Sequence, residues 1–489
     1  VKAGRRGRRA ALLAVSLAAA VVLAAAVWGA TRGTGSGTGR HGMPHPSRSL
    51  PDAAEQAAFE FGMSPERLGQ LVADGAGGGI APNGNRVTLT LDERLQRHIQ
   101  DLFRRYDPDY GVFAAMEPAT GRVVSLVGYR RGGEADPWLA LKAVYPAASL
   151  VKVITAAAAL EKGKVSPDAE IAYRGGIYSI SRRGLHARGG PGVPAMSLEE
   201  AIARSANSVF GKVTVDYVGA EGLAEYMERF GFSRPIPFAL PVEPSRAEVP
   251  RDEFNLARTG AGFGEVYVSP LHVAMIMSAV GASGAMPVPY LIERVEDKDG
   301  AVLYEAKPRV WREAIAPETA DALLEMMVKT IEMGTSRRTF GTPASTPLLQ
   351  DMQVAGKTGS LSGWTPRRHF EWFAGVAPVE APQLAVAALV VNDGRWKIKG
   401  SYVGKEAFNS YFGYPGSDPP AYARGKGARK ARVAARRGVR SRMKAAASAR
   451  GAGTASASKK KRHGARRAGP PAAAEEVTRR PPPRPAAPG

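Results

Sequence analysis

Apolar and polar positions alternate in distinct ways along this chain, and each change of period marks a candidate boundary. Ala10 to Ala30 is a 21-residue stretch without charge, preceded by Lys2, Arg5, Arg6, Arg8 and Arg9. Its length matches the roughly 20 residues a helix needs to cross a bilayer core, and the basic flank predicts a cytoplasmic start. A cleaved signal peptide is the alternative, since Ala24-Ala25-Ala26 could serve a peptidase. Residues 31–51, rich in Gly, Ser, Thr and Pro, read as a flexible linker. Residues 52–85 hold a short helical pattern (Ala57, Phe61, Leu68, Leu71) that ends in a Gly-rich break from Gly75 to Gly79.

The longest patterned region begins at Arg86. VTLTLDERLQRHIQDLF predicts a strand, then a helix with Asp92 as N-cap and Leu95, Ile99, Leu102 and Phe103 on one face. GVFAAME and RVVSLVGY, on either side of Pro118-Ala119-Thr120-Gly121, predict a β-hairpin. Helical spacing follows around 149–162, 197–205, 208–230 and 317–333. The apolar runs EWFAGVAP and QLAVAALVVND predict two late strands, and Gly404 to Phe412 a closing helix. Strands at both ends with helices between predict an α/β (α+β) domain over residues 86–415, built on a mainly antiparallel sheet. Residues 416–489 have no apolar periodicity, which predicts a disordered tail.

Charge changes this picture at one end only. From residue 421 onward there are 20 Lys and Arg against Glu475 and Glu476, so the tail carries +18 of the formal net +22. The remainder is close to an ordinary globular balance, and the overall basicity is no sign of nucleic-acid binding. A tail outside the cytoplasm could be drawn to anionic lipids or envelope polymers, or could be a solvated extension without a partner. There are no cysteines, and the seven histidines show neither HExxH nor an i, i+4 pair, so no metal site is expected.

Three short patterns carry candidate chemistry. Ser149 and Lys152 lie three apart just after Pro146, at the start of a helical run, and so share a face. A buried neutral lysine can take the proton of such a serine, and a helix start offers N–H groups to a developing oxyanion. Alone the pair means little: Ser441/Lys444, Ser456/Lys459 and Ser458/Lys461 repeat it inside the tail. Ser205-Ala206-Asn207 falls between two helical stretches, where a hydroxyl can relay a proton and an amide can hold a peptide group. Val354-Ala355-Gly356-Lys357-Thr358-Gly359-Ser360 reads as a strand that something approaches closely, with an edge open to an extended peptide and groups for a terminal carboxylate.

Their order, Ser-x-x-Lys, Ser-x-Asn, Lys-Thr-Gly, resembles the set found in penicillin-binding proteins and serine β-lactamases. Residues 86–415 are identified as similar to the transpeptidase domain of penicillin-binding proteins. VTLTLDERLQ, GVFAAMEPATGRVVSLVG, GAGFGEVYVSPLHVAMIMSAVGASG and WFAGVAP resemble further stretches of that family. The resemblance implies a β-lactamase/transpeptidase-like fold with an all-helical subdomain. It implies Ser149 as acylated nucleophile, Lys152 as its base, and Ser205 as proton shuttle. Asn207 would hold the substrate amide, and Lys357, Thr358, Gly359 and Ser360 would form the carboxylate-binding strand. Backbone N–H groups of Ser149 and Ser360 would make the oxyanion hole. Ser360 stands where the family more often has Thr.

The implied activity is a D,D-transpeptidase acting on D-Ala–D-Ala stem peptides of peptidoglycan, inhibited by β-lactams and needing no cofactor. A D,D-carboxypeptidase shares every motif, while a β-lactamase or a non-catalytic β-lactam sensor fits less of the chain. With the anchor, this places the catalytic domain outside the cytoplasm, in the periplasm, on a single-pass inner-membrane protein. With only residues 31–85 between anchor and catalytic region, no glycosyltransferase domain or large pedestal is expected.

Overall fold

The computed structural model describes residues 62–363, 368–393 and 397–418. The expected anchor (10–30), linker (31–51), first part of the short helical segment (52–61) and the tail beyond residue 418 lie outside the described residues. Among the described residues no helix is long and apolar enough to cross a membrane.

A five-stranded sheet forms the centre: β1 (Tyr110–Met116), β2 (Val123–Arg130), β3 (Ala355–Gly363), β4 (Arg368–Ala377) and β5 (Leu384–Asn392). Its order is β3-β4-β5-β1-β2, and every pairing is antiparallel. β5, in the middle, is buried at all nine positions, which is why its sequence is a continuous apolar run instead of an alternating one. Phe113, Ala115, Phe373, Val386 and Ala388 meet Leu95, Ile99, Leu102 and Phe103 of α2 (Glu93–Tyr106) and Val403, Ala407 and Phe408 of the last helix. The opposite face, with Val112, Ala114, Met116, Ala374 and Leu389, joins the larger core cluster that includes Ala274 and Val280 of α8 (Pro270–Gly281). The hairpin expected at Pro118–Gly121 joins β1 to β2, and Asp92 Oδ1 accepts the Leu95 N–H at 2.8 Å.

Residues 62–85 share this core. Leu68, Leu71 and Val72 of α1 (Pro65–Asp74) belong to the same apolar cluster as β1, and Gln96 Nε2 on α2 donates to Val72 O at 3.0 Å. The Gly-rich break contains a short strand, Gly78–Ile80, paired with Arg86–Leu89.

Five further helices surround α3 (Val151–Glu161), an Ala-rich helix buried from Val151 to Ala159: α4 (Leu198–Arg204), α5 (Asn207–Val213), α6 (Gly219–Arg229), α7 (Glu253–Gly260) and α9 (Pro317–Glu332). The helix expected over 208–230 is divided. A π-helical turn at Thr214–Val218 separates α5 from α6, with Thr214 Oγ1 donating to Phe210 O at 2.6 Å. The last helix, α10 (Gly400–Phe412), starts one turn before the expected Gly404. Glycine is a poor helix former, which hides the true start, but a Cβ at Gly400 would lie 2.5 Å from Glu371 O.

Candidate active site

The three motifs meet where α3, the α4–α5 junction and β3 converge. Ser149 lies in the 3₁₀ turn Ala148–Leu150 that leads into α3. Ala148, just before it, has φ +49°, a left-handed conformation that costs a non-glycine residue roughly 1–2 kcal/mol. The surroundings hold it there. Trp372 Nε1 of β4 donates to Pro146 O at 2.9 Å, and a Cβ on Gly262 would lie 2.2 Å from Ala148 O. Gly359 of β3 is held less tightly, since its Cβ would lie 3.2 Å from Trp372 Cβ and 3.4 Å from Ala147 O. The nucleophile turn packs against the Lys-Thr-Gly strand at Gly359 in ordinary contact.

Lys152 is fully buried, and its Nζ lies 2.7 Å from Ser149 Oγ, 2.8 Å from Asn207 Oδ1 and 2.6 Å from Ala261 O. None of these partners is charged. Burial, reinforced by the nearby Lys357 ammonium, holds the Lys152 amine well below the usual lysine range. A neutral amine has two N–H groups and one lone pair. Asn207 Oδ1 and Ala261 O can only accept, so they take the two hydrogens, and the lone pair remains for the Ser149 hydroxyl. Asn207 is held in this orientation because its Nδ2 donates to Tyr178 O at 2.8 Å.

Ser205 caps α4 in the left-handed conformation (φ +56°), which turns the chain into α5 and places Ser205 and Asn207 on one side of the junction. Lys357, also fully buried, donates from Nζ to Ser205 Oγ at 2.9 Å and to Thr358 O at 2.8 Å. Burial lowers its pKa to about 7. β3 lies at the sheet edge, as a strand open to an added peptide requires. Thr358 Oγ1 is 2.6 Å from Thr335 Oγ1, whereas Ser360 Oγ donates to Glu371 Oε1 across the β3–β4 pair at 3.0 Å. Thr358, Ser360 and Glu371 line a cavity of about 1140 Å³ that runs along β3 towards α10.

All eight residues singled out in the sequence therefore lie in one region. Sequence reasoning missed Ala261 O, Tyr178 O, Thr335 and Glu371. The two carbonyls belong to residues whose side chains carry no relevant chemistry, so no residue-type pattern marks them. Glu371 was visible as a lone charge opening the apolar run EWFAGVAP. Among the described residues no group of three His, Cys, Asp or Glu is placed to hold a metal.

An antiparallel sheet backed by helices, with a serine, two buried lysines and a hydroxyl-bearing edge strand at its border, defines a serine acyl-transfer domain of the penicillin-binding type. The family model described as the penicillin binding protein transpeptidase domain matches residues 111–412, and the chain belongs to that family. The peptidoglycan D,D-transpeptidase PbpA of Mycolicibacterium smegmatis is 27% identical over 394 residues, covering 73% of this chain and 77% of the relative. Its namesake in Mycobacterium tuberculosis is 29% identical over 347 residues, covering 64% and 69%. Among solved structures, penicillin-binding protein A from M. tuberculosis as an imipenem acyl-enzyme complex has a TM-score of 0.56 at 26% identity, covering 74% of this chain and 87% of that one. The D,D-transpeptidase domain of a peptidoglycan glycosyltransferase from Eggerthella lenta shares the fold, with a TM-score of 0.57 at 23% identity over 70% of this chain and 90% of that one.

Proposed function

We propose that this chain is a peptidoglycan D,D-transpeptidase that forms an acyl-enzyme on Ser149. The observation that carries the reading is the Lys152 amine, buried among uncharged partners with its Nζ 2.7 Å from Ser149 Oγ. In the first step Ser149 Oγ attacks the carbonyl carbon between the two D-alanines and its proton passes to Lys152 Nζ. Backbone N–H groups of Ser149 and Ser360 stabilise the oxyanion. The C–N bond then breaks, and the departing D-alanine amine takes a proton through Ser205 Oγ, beside Lys357. Asn207 holds the substrate amide, and Thr358 and Ser360 receive the terminal carboxylate. An amine from a second stem peptide attacks the ester and frees Ser149. β-Lactams acylate the same oxygen.

The basic cluster and apolar run before residue 31 support a single-pass membrane anchor with this domain outside the cytoplasm. The basic tail would then meet anionic lipids or envelope polymers.

A fluorescent penicillin tests the assignment: stable labelling of the wild type, absent in Ser149→Ala, is expected. A folded wild type that takes no label refutes it. A stem peptide supplied with and without an amine acceptor separates transfer from hydrolysis, and a product formed only with water would make the enzyme a carboxypeptidase.

A further inference from the structure

Glu371 is a carboxyl group buried beside the hydroxyl expected to receive the substrate carboxylate. It sits opposite Ser360 on β4, is 8% exposed, and takes the Ser360 Oγ–H at 3.0 Å. While that bond runs from serine to carboxylate, Ser360 has only lone pairs to turn towards the cavity, and an anionic ligand is repelled. If the carboxyl carries a proton, it can donate to Ser360 Oγ instead. The serine hydrogen is then free to point into the cavity.

We propose that Glu371 is a positioning residue that sets the direction of the Ser360 hydroxyl, making recognition of an anionic donor terminus conditional on Glu371 being protonated. This rests on the acyl-enzyme reading above and adds a pH dependence to its carboxylate subsite. Burial raises the Glu371 pKa to about 7, against the opposing pull of Lys399 at the start of α10 and the Ser360 bond. The exchange therefore falls near neutral pH. Other charged groups share the cavity: Arg338 from the segment after α9, Lys405 on α10 and Asp418 beyond it. On Glu371's own strand His369 engages Ser362 Oγ through Nδ1, while the β5 residue opposite Glu371 itself is the apolar Val390.

The test is the second-order rate constant for labelling of the full chain by a carboxylate-bearing fluorescent penicillin, from about pH 5.5 to about pH 8.5. Titration of Lys152 and Lys357 is common to all variants and cancels in their ratios. At the acid end Ser360→Ala is expected to be slower than wild type by roughly 10- to 100-fold, the factor for one hydrogen bond to a charged acceptor. At the alkaline end the two converge. In a Glu371→Gln background the effect of Ser360→Ala no longer changes with pH. Ser360 is exposed, so its replacement leaves the core intact and the first comparison stands without the second. A Ser360→Ala deficit of the same size at both ends overturns the proposal. Absence of label on wild type at every pH removes the acyl-enzyme reading, and this proposal with it.

Discussion

Gly262 offers a direct test of how tightly the nucleophile is positioned from behind. Its φ of +96° already disfavours any side chain, at a cost of roughly 1–2 kcal/mol for alanine. The larger effect is steric. A Cβ there would lie 2.2 Å from Ala148 O and 2.8 Å from Ser149 N. Carbon and oxygen in closest ordinary contact sit about 3.3 Å apart, so the two backbones must separate by about 1 Å. Neither can do so freely. The 260s loop holds Lys152 through Ala261 O at 2.6 Å, and Trp372 holds the nucleophile turn through Pro146 O at 2.9 Å. The displacement must therefore lengthen the Ser149–Lys152 contact or break the Ala261 bond. A misplacement of about 1 Å at a reacting centre can cost about 100-fold in rate. Gly262→Ala is expected to lower the acylation rate constant for a fluorescent penicillin by about that factor, with a loss of about 1–3 kcal/mol in stability by denaturant unfolding. Acylation within twofold of wild type, with an unchanged unfolding midpoint, would refute the claim that this backbone contact sets the nucleophile's position.

Lys152→Met should slow labelling by about 10²- to 10⁴-fold, the usual contribution of a general base, and a loss smaller than tenfold would remove lysine from that role. Glu371→Gln should change how stability depends on pH. Because the folded pKa of about 7 lies above the ordinary 4.5, the wild-type contribution is complete below pH 4.5 and is lost as pH rises through 7. The variant should therefore gain on wild type by up to about 3 kcal/mol between those limits, and a stability difference independent of pH would contradict the burial argument. Asp92→Ala removes the N-cap of α2, whose apolar face packs in a different core cluster from Ala148 and Leu150, so it should cost about 1 kcal/mol of stability with acylation unchanged. A normal unfolding midpoint in that variant would mean the cap contributes nothing.

Much of the fold was readable because burial leaves a periodic trace. The all-apolar β5, the amphipathic α2 and the hairpin loop at Pro118–Gly121 each have one environment that suits them. Departures came where glycine or threonine carries the local signal. Gly400 looks unsuited to a helix, yet α10 needs it to reach β4, and Thr214 accompanies a π-helical turn inside an otherwise uniform helical pattern.

The same division runs through the site. The residue types and their order were enough to separate Ser149 from three identical pairs in the tail, and to name Lys152, Ser205, Asn207 and the strand from Lys357 to Ser360. Their chemistry was not settled at that level. Lysine is basic or cationic according to how much water and charge surround it, and only the packing of α3 against Asn207 and Ala261 O makes Lys152 a dry amine with a lone pair for Ser149. Ser360, which sequence order places in a carboxylate site, is shared with Glu371 only because the β3–β4 register sets them opposite each other. Covalent order determines which groups are present. Their protonation, and the direction of each hydrogen bond, depend on neighbours distant in sequence, and only the folded chain supplies those.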